Sequence, residues 1–314
     1  MALSSPFEYE NKIIEKQNVL CRARGSFRHN GQKPYVGDNV TISFERDVCE
    51  ILTNGIKDKE IDESGGGVVI TEIHERKNSL IRPPLANIDY LFVCIATTSP
   101  EPNLITYDKL ISIACYNKVE PVIILCKSDL DHKYANELYG IYSKTPHKCF
   151  ILSSVEPESC NEISAYIKTE LQQKTIAFAG ASGVGKSTLL NLLFPDLSLS
   201  TAEVSYKTER GRHTTRHVEL YPITKDENSG YIADTPGFSM LDFDRFDFFT
   251  KEDLPSTFAE FEPYFGECKY KKCTHTKEEG CAILNAVREN KIAKSRHDSY
   301  LDMYNILKNK NTWN

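Results

Sequence analysis

The sequence has no apolar run approaching the roughly 20 residues that a membrane-spanning helix needs. Its longest, Tyr90–Ala96 and Pro121–Cys126, have the length of a β-strand. The start, Met1-Ala2-Leu3-Ser4-Ser5-Pro6-Phe7-Glu8, lacks the basic-then-apolar pattern of a secretory signal. These absences argue for a cytoplasmic protein with no membrane partner. No internal repeat, low-complexity tract or heptad seam is visible, so a monomer is expected. The 10 cysteines in 314 residues are too few for a disulfide scaffold. Seven are scattered, among them Cys94, Cys115 and Cys149 in apolar segments, and read as buried structural thiols. The other three cluster near the C-terminus with a histidine among them.

What is present is the composition of a soluble globular protein, 40% hydrophobic and 26% charged. The length suggests about two domains, with three small ones possible. A net charge of −6 disfavours nucleic acid on the sum, but the charge is unevenly spread. Cys21–Arg46 holds five bases against two acids, and Gly266–Asn314 ten against six. Between them, Asp242–Glu262 carries seven acids against two bases. Two basic ends around an acidic middle leave room for an RNA-binding surface.

Up to about Arg82 the chain reads as β. Short alternating runs, Val19–Ala23, Asn39–Phe44 and Val68–Ile73, are separated by turn signals such as Asn30-Gly31 and Gly37-Asp38. Several short strands suggest a small barrel of the OB type, either RNA-binding or only docked on the next domain. Arg22, Arg24, Arg28 and Lys33, with Phe27, His29 and Tyr35 among them, suit either an OB-type surface, with cations for phosphate and aromatics for stacking, or a solvated charged hairpin. From Tyr90 the texture becomes α/β with a mostly parallel sheet. Predicted strands are Tyr90–Ala96, Val122–Cys126, Cys149–Leu152, Thr175–Ala179 and Tyr231–Ala233; predicted helices are Asn103–Asn117, Asn161–Gln172 and Lys186–Leu193. A helical pattern runs from about Cys281 to Leu307. Within it Arg288, Lys291, Lys294 and Arg296 recur at roughly helical spacing, as one basic face would.

The strand Thr175–Ala179 runs into Gly180-Ala181-Ser182-Gly183-Val184-Gly185-Lys186-Ser187-Thr188 and then an apolar helix. This is the phosphate-loop pattern in its strand–loop–helix context. The glycines let backbone N–H groups close around phosphates, and the helix N-terminus favours their charge. Lys186 is expected on the β- and γ-phosphates and Ser187 on Mg²⁺. Asp234-Thr235-Pro236-Gly237 follows a strand; Asp234 suits a second-shell Mg²⁺ contact and Gly237 a backbone approach to the γ-phosphate. Between them, Gly211-Arg212-His213-Thr214-Thr215-Arg216 reads as a switch, with either Thr214 or Thr215 completing the Mg²⁺ shell. A glutamine that orients water is expected after the switch glycine, but Phe238 stands there. His213 is the internal candidate for that task, against a role in packing the switch or touching RNA.

Guanine recognition needs a carboxylate that accepts from N1–H and the exocyclic 2-amine of guanine, both of which adenine lacks. Cys126-Lys127-Ser128-Asp129, after an apolar strand, is the candidate, with Cys126 where Asn or Thr is usual. A thiol is a poor hydrogen-bond partner. Ser153-Ser154, after the next strand, are candidates for backbone contact to the base. The base segment precedes the phosphate loop, whereas ordinary GTPases have the reverse order. The chain therefore reads as a circular permutation.

Cys268, Cys273, His275 and Cys281 offer three thiolates and one imidazole within fourteen residues. Four N/S ligands suit tetrahedral Zn²⁺, and a closed set of four indicates a structural site. Lys269, Lys271 and Lys272 between them either offset the charge of the site, face RNA phosphate, or are solvated.

The motif order and this zinc spacing resemble the circularly permuted bacterial GTPases of the RsgA (YjeQ) type. Cys21-Arg22-Ala23-Arg24-Gly25, Gly37-Asp38 and Arg76–Pro84 look like the N-terminal domain of that family and its following linker. The resemblance implies a multidomain α/β protein: an OB-fold domain over 1–78, a permuted P-loop GTPase domain over 79–242 and a zinc-binding helical domain over 243–314. It implies GTP hydrolysis with Mg²⁺ and stimulation by the ribosome. It also implies binding to 16S rRNA of the small (30S) subunit late in its maturation, and release once GTP becomes GDP. The rival readings are a nucleotide-gated RNA adaptor with negligible hydrolysis, a large-subunit assembly GTPase and a plain P-loop ATPase.

Overall fold

A computed structural model describes residues 2–3, 7–9, 12–14, 18–19, 21–29, 31–44, 68–80, 84–194, 219–223, 229–234 and 249–309. The chain forms two compact units, Met1–Lys77 and Asn78–Asn314. The switch residues Gly211, Arg212, His213, Thr214, Thr215, Arg216, Gly237 and Phe238 lie outside the described residues.

The first unit is β-rich. Val68–Ile73 lies between Arg22–Ala23 and Val40–Phe44 in a three-stranded sheet. The predicted run Val19–Ala23 is divided between Asn18–Val19 and Arg22–Ala23, which belong to different sheets. Asp38 is pinned by Arg76, at 2.7 Å from Nε and 2.9 Å from Nη2, and accepts from the Tyr35 amide at 2.7 Å. The Arg76 guanidinium also sits 4.1 Å from the centre of the Tyr35 ring. Gly37-Asp38 is therefore a fold-holding turn.

The second unit is built on a six-stranded sheet. In chain order its strands are β1 (Tyr90–Ala96), β2 (Glu120–Cys126), β3 (Lys148–Ile151), β4 (Thr175–Ala179), β5 (Glu219–Pro222) and β6 (Tyr231–Asp234). The spatial order is β3-β2-β1-β4-β6-β5, parallel except for the β5–β6 pair. The near-continuous apolar runs of β1 and β2 are buried along their length, as strands covered on both faces require. The chain moves outward from β1 to β3 and then returns to β4 on the other side. That reversal makes the β1/β4 crevice a topological switch point, where open α/β sheets bind ligands at the strand C-termini.

Helices α1 (Leu104–Tyr116), α2 (His132–Tyr142), α3 (Asn161–Glu170) and α4 (Lys186–Leu193) connect or follow these strands. α2 has no counterpart in the sequence reading. Its polar composition and Gly140 mask the buried stripe Ala135, Leu138 and Tyr142. After Phe249 come two short 3₁₀ turns, then α5 (Ala282–Arg288) and α6 (Lys294–Asn309). The predicted 281–307 helix is thus broken at Glu289–Ala293. α6 packs on α1, and Phe258, Phe261 and Tyr300 form an aromatic cluster with ring centres 5.2 to 5.4 Å apart.

Two expectations are corrected. Arg296 is not on a basic outer face: it is 1% exposed and bonded to Asp108 and Glu260. Phe27 is 8% exposed and belongs to the core of its unit, so it offers no stacking platform. Arg22, Arg24 and Lys33 are exposed, and Arg28 lies in the helical turn Ser26–His29. Among the described residues no helix is long and apolar enough to cross a membrane.

Candidate functional site

The loop after β4 turns sharply. Gly180 has φ +150°, and a Cβ there would lie 2.5 Å from the Cys94 carbonyl oxygen of β1. Only glycine lets the loop pass so close to β1. Gly185, at φ +103°, opens α4. Lys186 donates to the Gly180 and Ala181 carbonyls at 2.8 and 2.9 Å, so its ammonium is held over the loop. Val184 is buried beneath it, while Ser182, Gly183 and Thr188 are exposed and Ser187 is half-buried.

The segment after β2 meets this loop. Lys127 has a left-handed backbone, φ 61°, and the Thr97 hydroxyl donates to its carbonyl at 2.7 Å. Its ammonium donates to the Gly183 carbonyl at 2.7 Å and to the Ser99 carbonyl. Ser128 is buried, with its amide on the Leu152 carbonyl at 3.2 Å. Asp129 accepts the Ser153 hydroxyl at 2.6 Å, and the Val155 amide donates to Ser153 Oγ at 3.2 Å. The Ser159 hydroxyl accepts from the Ser153 amide at 2.9 Å.

These elements enclose a cavity of about 70 Å³. It is lined by the predicted Cys126, Lys127, Ser153, Ser154, Val184, Gly185 and Thr188. Leu152, Cys160, Leu189 and Leu192 complete its wall, and sequence reasoning missed them. For Leu189 and Leu192 the signal was present in the apolar run of α4 after the glycine-rich loop. The Cys126 thiol turns to the Ile124 carbonyl at 3.7 Å. Contact with the Cys94 thiol, together with burial, pushes the Cys126 pKa well above its ordinary value, so it stays a neutral thiol. Asp234 ends β6, which runs parallel to β4, so it lies at the same C-terminal edge of the sheet as the loop.

The second cluster lies at the C-terminal end of the unit. The ligand atoms of Cys268, Cys273, His275 and Cys281 all fall within 4.8 Å of one another. Cys268 Sγ is 3.6 Å from His275 Nδ1 and 3.9 Å from Cys281 Sγ, and Nδ1 is 3.4 Å from Cys281 Sγ. Metal–sulfur bonds of about 2.3 Å give tetrahedral edges of roughly 3.4 to 3.8 Å. Three of the four donors lie near those spacings, and all four lie close enough together that they could hold one ion. Backbone amides of Ala282 and Leu284 donate to the Cys268 and Cys281 sulfurs at 3.4 and 3.5 Å, which favours thiolates. Burial lowers the His275 pKa and favours the neutral imidazole that ligates.

Glu278 ties this loop together. It accepts from the amides of Thr274, Thr276 and Lys277 at 2.8, 3.0 and 3.1 Å. Burial opposes its charge, but the hydrogen bonds from Thr274 and the loop amides win and hold its pKa down to about 2. α6 grips the loop from behind: the Tyr300 hydroxyl donates to the Thr274 carbonyl at 2.7 Å, and His297 Nε2 to the His275 carbonyl at 2.8 Å. Lys269, Lys271 and Lys272 are exposed around it.

A sequence model described as RsgA GTPase matches residues 73–244, and one described as RsgA N-terminal domain matches residues 10–48. The Small ribosomal subunit biogenesis GTPase RsgA of Caldanaerobacter subterraneus subsp. tengcongensis is 37% identical over 94% of this chain and 91% of its own. The protein of the same name from Streptococcus mutans is 38% identical over 94% and 90%. The crystal structure of YjeQ from Thermotoga maritima superposes with TM-score 0.69 at 29% identity, covering 97% of each chain. That of YloQ, described as a circularly permuted GTPase, gives 0.65 at 30%, covering 95% of this chain and 87% of its own.

Proposed function

The chain belongs to the RsgA family of GTPases, and on that premise we propose that it hydrolyses GTP during late maturation of the small (30S) ribosomal subunit. It binds the subunit through 16S rRNA in the GTP form, as a cytoplasmic monomer. Hydrolysis to GDP and phosphate, stimulated by the ribosome, releases it. Residues 1–78 form the OB-type RNA-binding domain, 79–242 the permuted GTPase domain and 243–314 the zinc-binding domain. Arg22, Arg24, Arg28 and Lys33 face rRNA phosphate.

The observation that carries this reading is the Lys127–Gly183 hydrogen bond of 2.7 Å. It joins a base-recognition segment to a phosphate loop that follows it in sequence, the motif order of a permuted GTPase. In this reading Asp129 selects guanine. Cys126, Lys127, Ser128, Ser153 and Ser154 form its base pocket. Gly180, Ala181, Ser182, Gly183, Val184, Gly185, Lys186, Ser187 and Thr188 hold the phosphates. Oriented backbone N–H groups and the Lys186 ammonium offset charge that builds on the γ-phosphoryl oxygens as the bond to the leaving diphosphate breaks. Ser187 and one of Thr214 and Thr215 would hold Mg²⁺, with Asp234 as a second-shell contact, and the ion would supply positive charge to neutralise the phosphates. The Gly237 amide approaches the γ-phosphate, and His213 orients the attacking water. Cys268, Cys273, His275 and Cys281 hold one structural Zn²⁺.

The deciding experiment measures GTP and ATP hydrolysis by the zinc-loaded protein, alone and with small or large ribosomal subunits. Stimulation by small subunits with GTP alone is expected. GTP binding without stimulated turnover would instead favour the adaptor that Phe238, in place of a glutamine, permits. Equal use of ATP would remove Asp129 from base selection.

A further inference from the structure

A buried ionic cluster joins the two candidate sites. Arg296 of α6 donates from Nη1 to Asp108 of α1 at 2.6 Å. The same guanidinium forks onto Glu260, from Nε at 2.8 Å and Nη2 at 3.2 Å, and stacks 4.6 Å over Phe258. Asp108 and Arg296 are each 1% exposed and Glu260 is 6%. Asp108 also accepts from the Tyr142 hydroxyl of α2 at 3.1 Å and from Ser299 of α6. A guanidinium shared by two carboxylates in a dry interior costs several kcal/mol to desolvate and is seldom the most stable choice. What it provides is geometry: three helices are fixed at one point.

Each helix leads to a site. On the metal side, His297 and Tyr300, next to Arg296 on α6, hold the carbonyls of His275 and Thr274. On the nucleotide side, Tyr107, the neighbour of Asp108, is 3% exposed; burial raises its pKa, and the nearby backbone of Ala181 in the loop after β4 opposes that rise. α2 begins at Asp131, which caps it by accepting the Tyr134 amide at 2.9 Å, two residues after Asp129. α2 then reaches Asp108 through Tyr142. Two routes from the nucleotide pocket and one from the metal loop thus meet at Asp108 and Arg296.

We infer that the Asp108–Arg296 ion pair is the joint through which nucleotide binding and metal binding stabilise one another, with Asp108 a positioning residue that touches neither ligand. This rests on the reading of the two sites proposed above. If ordering of the phosphate loop fixes Tyr107, and ordering of the metal loop fixes α6, each ligand lowers the cost of the other. Linkage then makes the effect reciprocal: the factor by which zinc tightens GDP equals the factor by which GDP tightens zinc.

The test uses the full chain. GDP affinity is measured by titration, with Mg²⁺ present, on zinc-loaded and chelator-stripped protein. Zinc affinity is measured against a competing chelator, with and without GDP. The expected result is a matched change of about fivefold or more in both, within the usual range of coupling between distant sites. In Asp108→Asn, which removes the charge but keeps the shape, each ligand still binds and the factor falls towards one. Tyr107→Phe is the second variant, since it leaves the ion pair intact and removes only the hydroxyl beside Ala181; it is expected to lose most of the coupling while the chain stays folded and binds each ligand alone. Equal GDP affinity in both metal states overturns the inference. So does full coupling retained in both variants. A chain that takes up no zinc, or binds no guanine nucleotide, overturns the functional reading itself and is recognised by that missing binding.

Discussion

Ser153 donates its hydroxyl to Asp129 across 2.6 Å, tying the end of β3 to the segment after β2. The bond fixes which way the carboxylate faces. Asp129 is only half-buried, so without this partner it would swing freely. Ser153→Ala removes a hydrogen bond to a charged group, of a kind worth roughly 1.5–3 kcal/mol. Partial exposure places the effect near the lower end, about a tenfold loss of GDP affinity. Adenine nucleotides, which offer the carboxylate nothing, should bind no worse. Titration of both nucleotides against both proteins checks this; equal losses for both would mean that Asp129 does not read the base.

Arg296 supplies the sharpest stability prediction. Removing it leaves the Asp108 and Glu260 carboxylates facing each other in a site where all three residues are buried. Burial by itself already raises the Asp108 pKa, with the Arg296 charge opposing the rise. Breaking a buried pair from one side costs about 3–5 kcal/mol. Arg296→Ala should therefore lower the urea midpoint by a corresponding amount and destabilise α6 first. Arg296→Lys should recover little, since an ammonium cannot fork onto Glu260 while reaching Asp108. A loss below about 1 kcal/mol would be the behaviour of a surface pair.

The same residue marks the limit of what can be read in advance. β1, β4 and α4 were legible because their apolar patterns and flanking turns agree with their tertiary surroundings. The glycine-rich turn between β4 and α4 and the convergence of the Cys/His cluster were legible because their spacing is local. Arg296 was not. The run of basic residues groups it with Lys294 but does not say which face of α6 meets α1, and its two partners come from positions 108 and 260. Phe27 was misplaced for a similar reason: alternation among charged neighbours does not reveal that its own ring turns inward. The lining from Leu152 and Cys160 depends on where the segment after β3 lands beside α4, which no local pattern records.

Glu278 organises the metal loop without touching the ion's ligands through its own side chain. Its pKa lies near 2 in the folded chain, against an ordinary 4.5. A depressed carboxylate stabilises the fold above its unfolded pKa and loses that contribution as the pH falls from 4.5 towards about 2. At neutral pH its contribution is fully present, and Glu278→Gln removes it. The glutamine offers one carbonyl oxygen where two carboxylate oxygens served three amides. Partners that orient metal ligands are worth about 10–100-fold in metal affinity. A weakening of about tenfold is expected, read by competition with a zinc chelator at pH 7. Unchanged affinity would mean that the loop is held by Tyr300 and His297 alone.

Hydrolysis needs a group to orient water, and the position after Gly237 is Phe238, whose ring can accept no proton and direct no lone pair. His213 is adjacent in sequence to Thr214 and Thr215, the candidate Mg²⁺ ligands. A neutral imidazole accepts a hydrogen bond from water at one nitrogen while the other is held by the protein or the ribosome. Positioned acid–base groups contribute about 10²–10⁴-fold. His213→Ala should accordingly lower small-subunit-stimulated turnover by at least about 100-fold while GTP binding stays within twofold. His213→Gln should restore part of the activity, because an amide carbonyl can also accept from water. Single-turnover hydrolysis with saturating subunits separates the chemical step from release of the factor. Stimulated turnover unchanged in the alanine variant would move the water-orienting role to a residue of the ribosome, with Phe238 and His213 serving only to shape the switch.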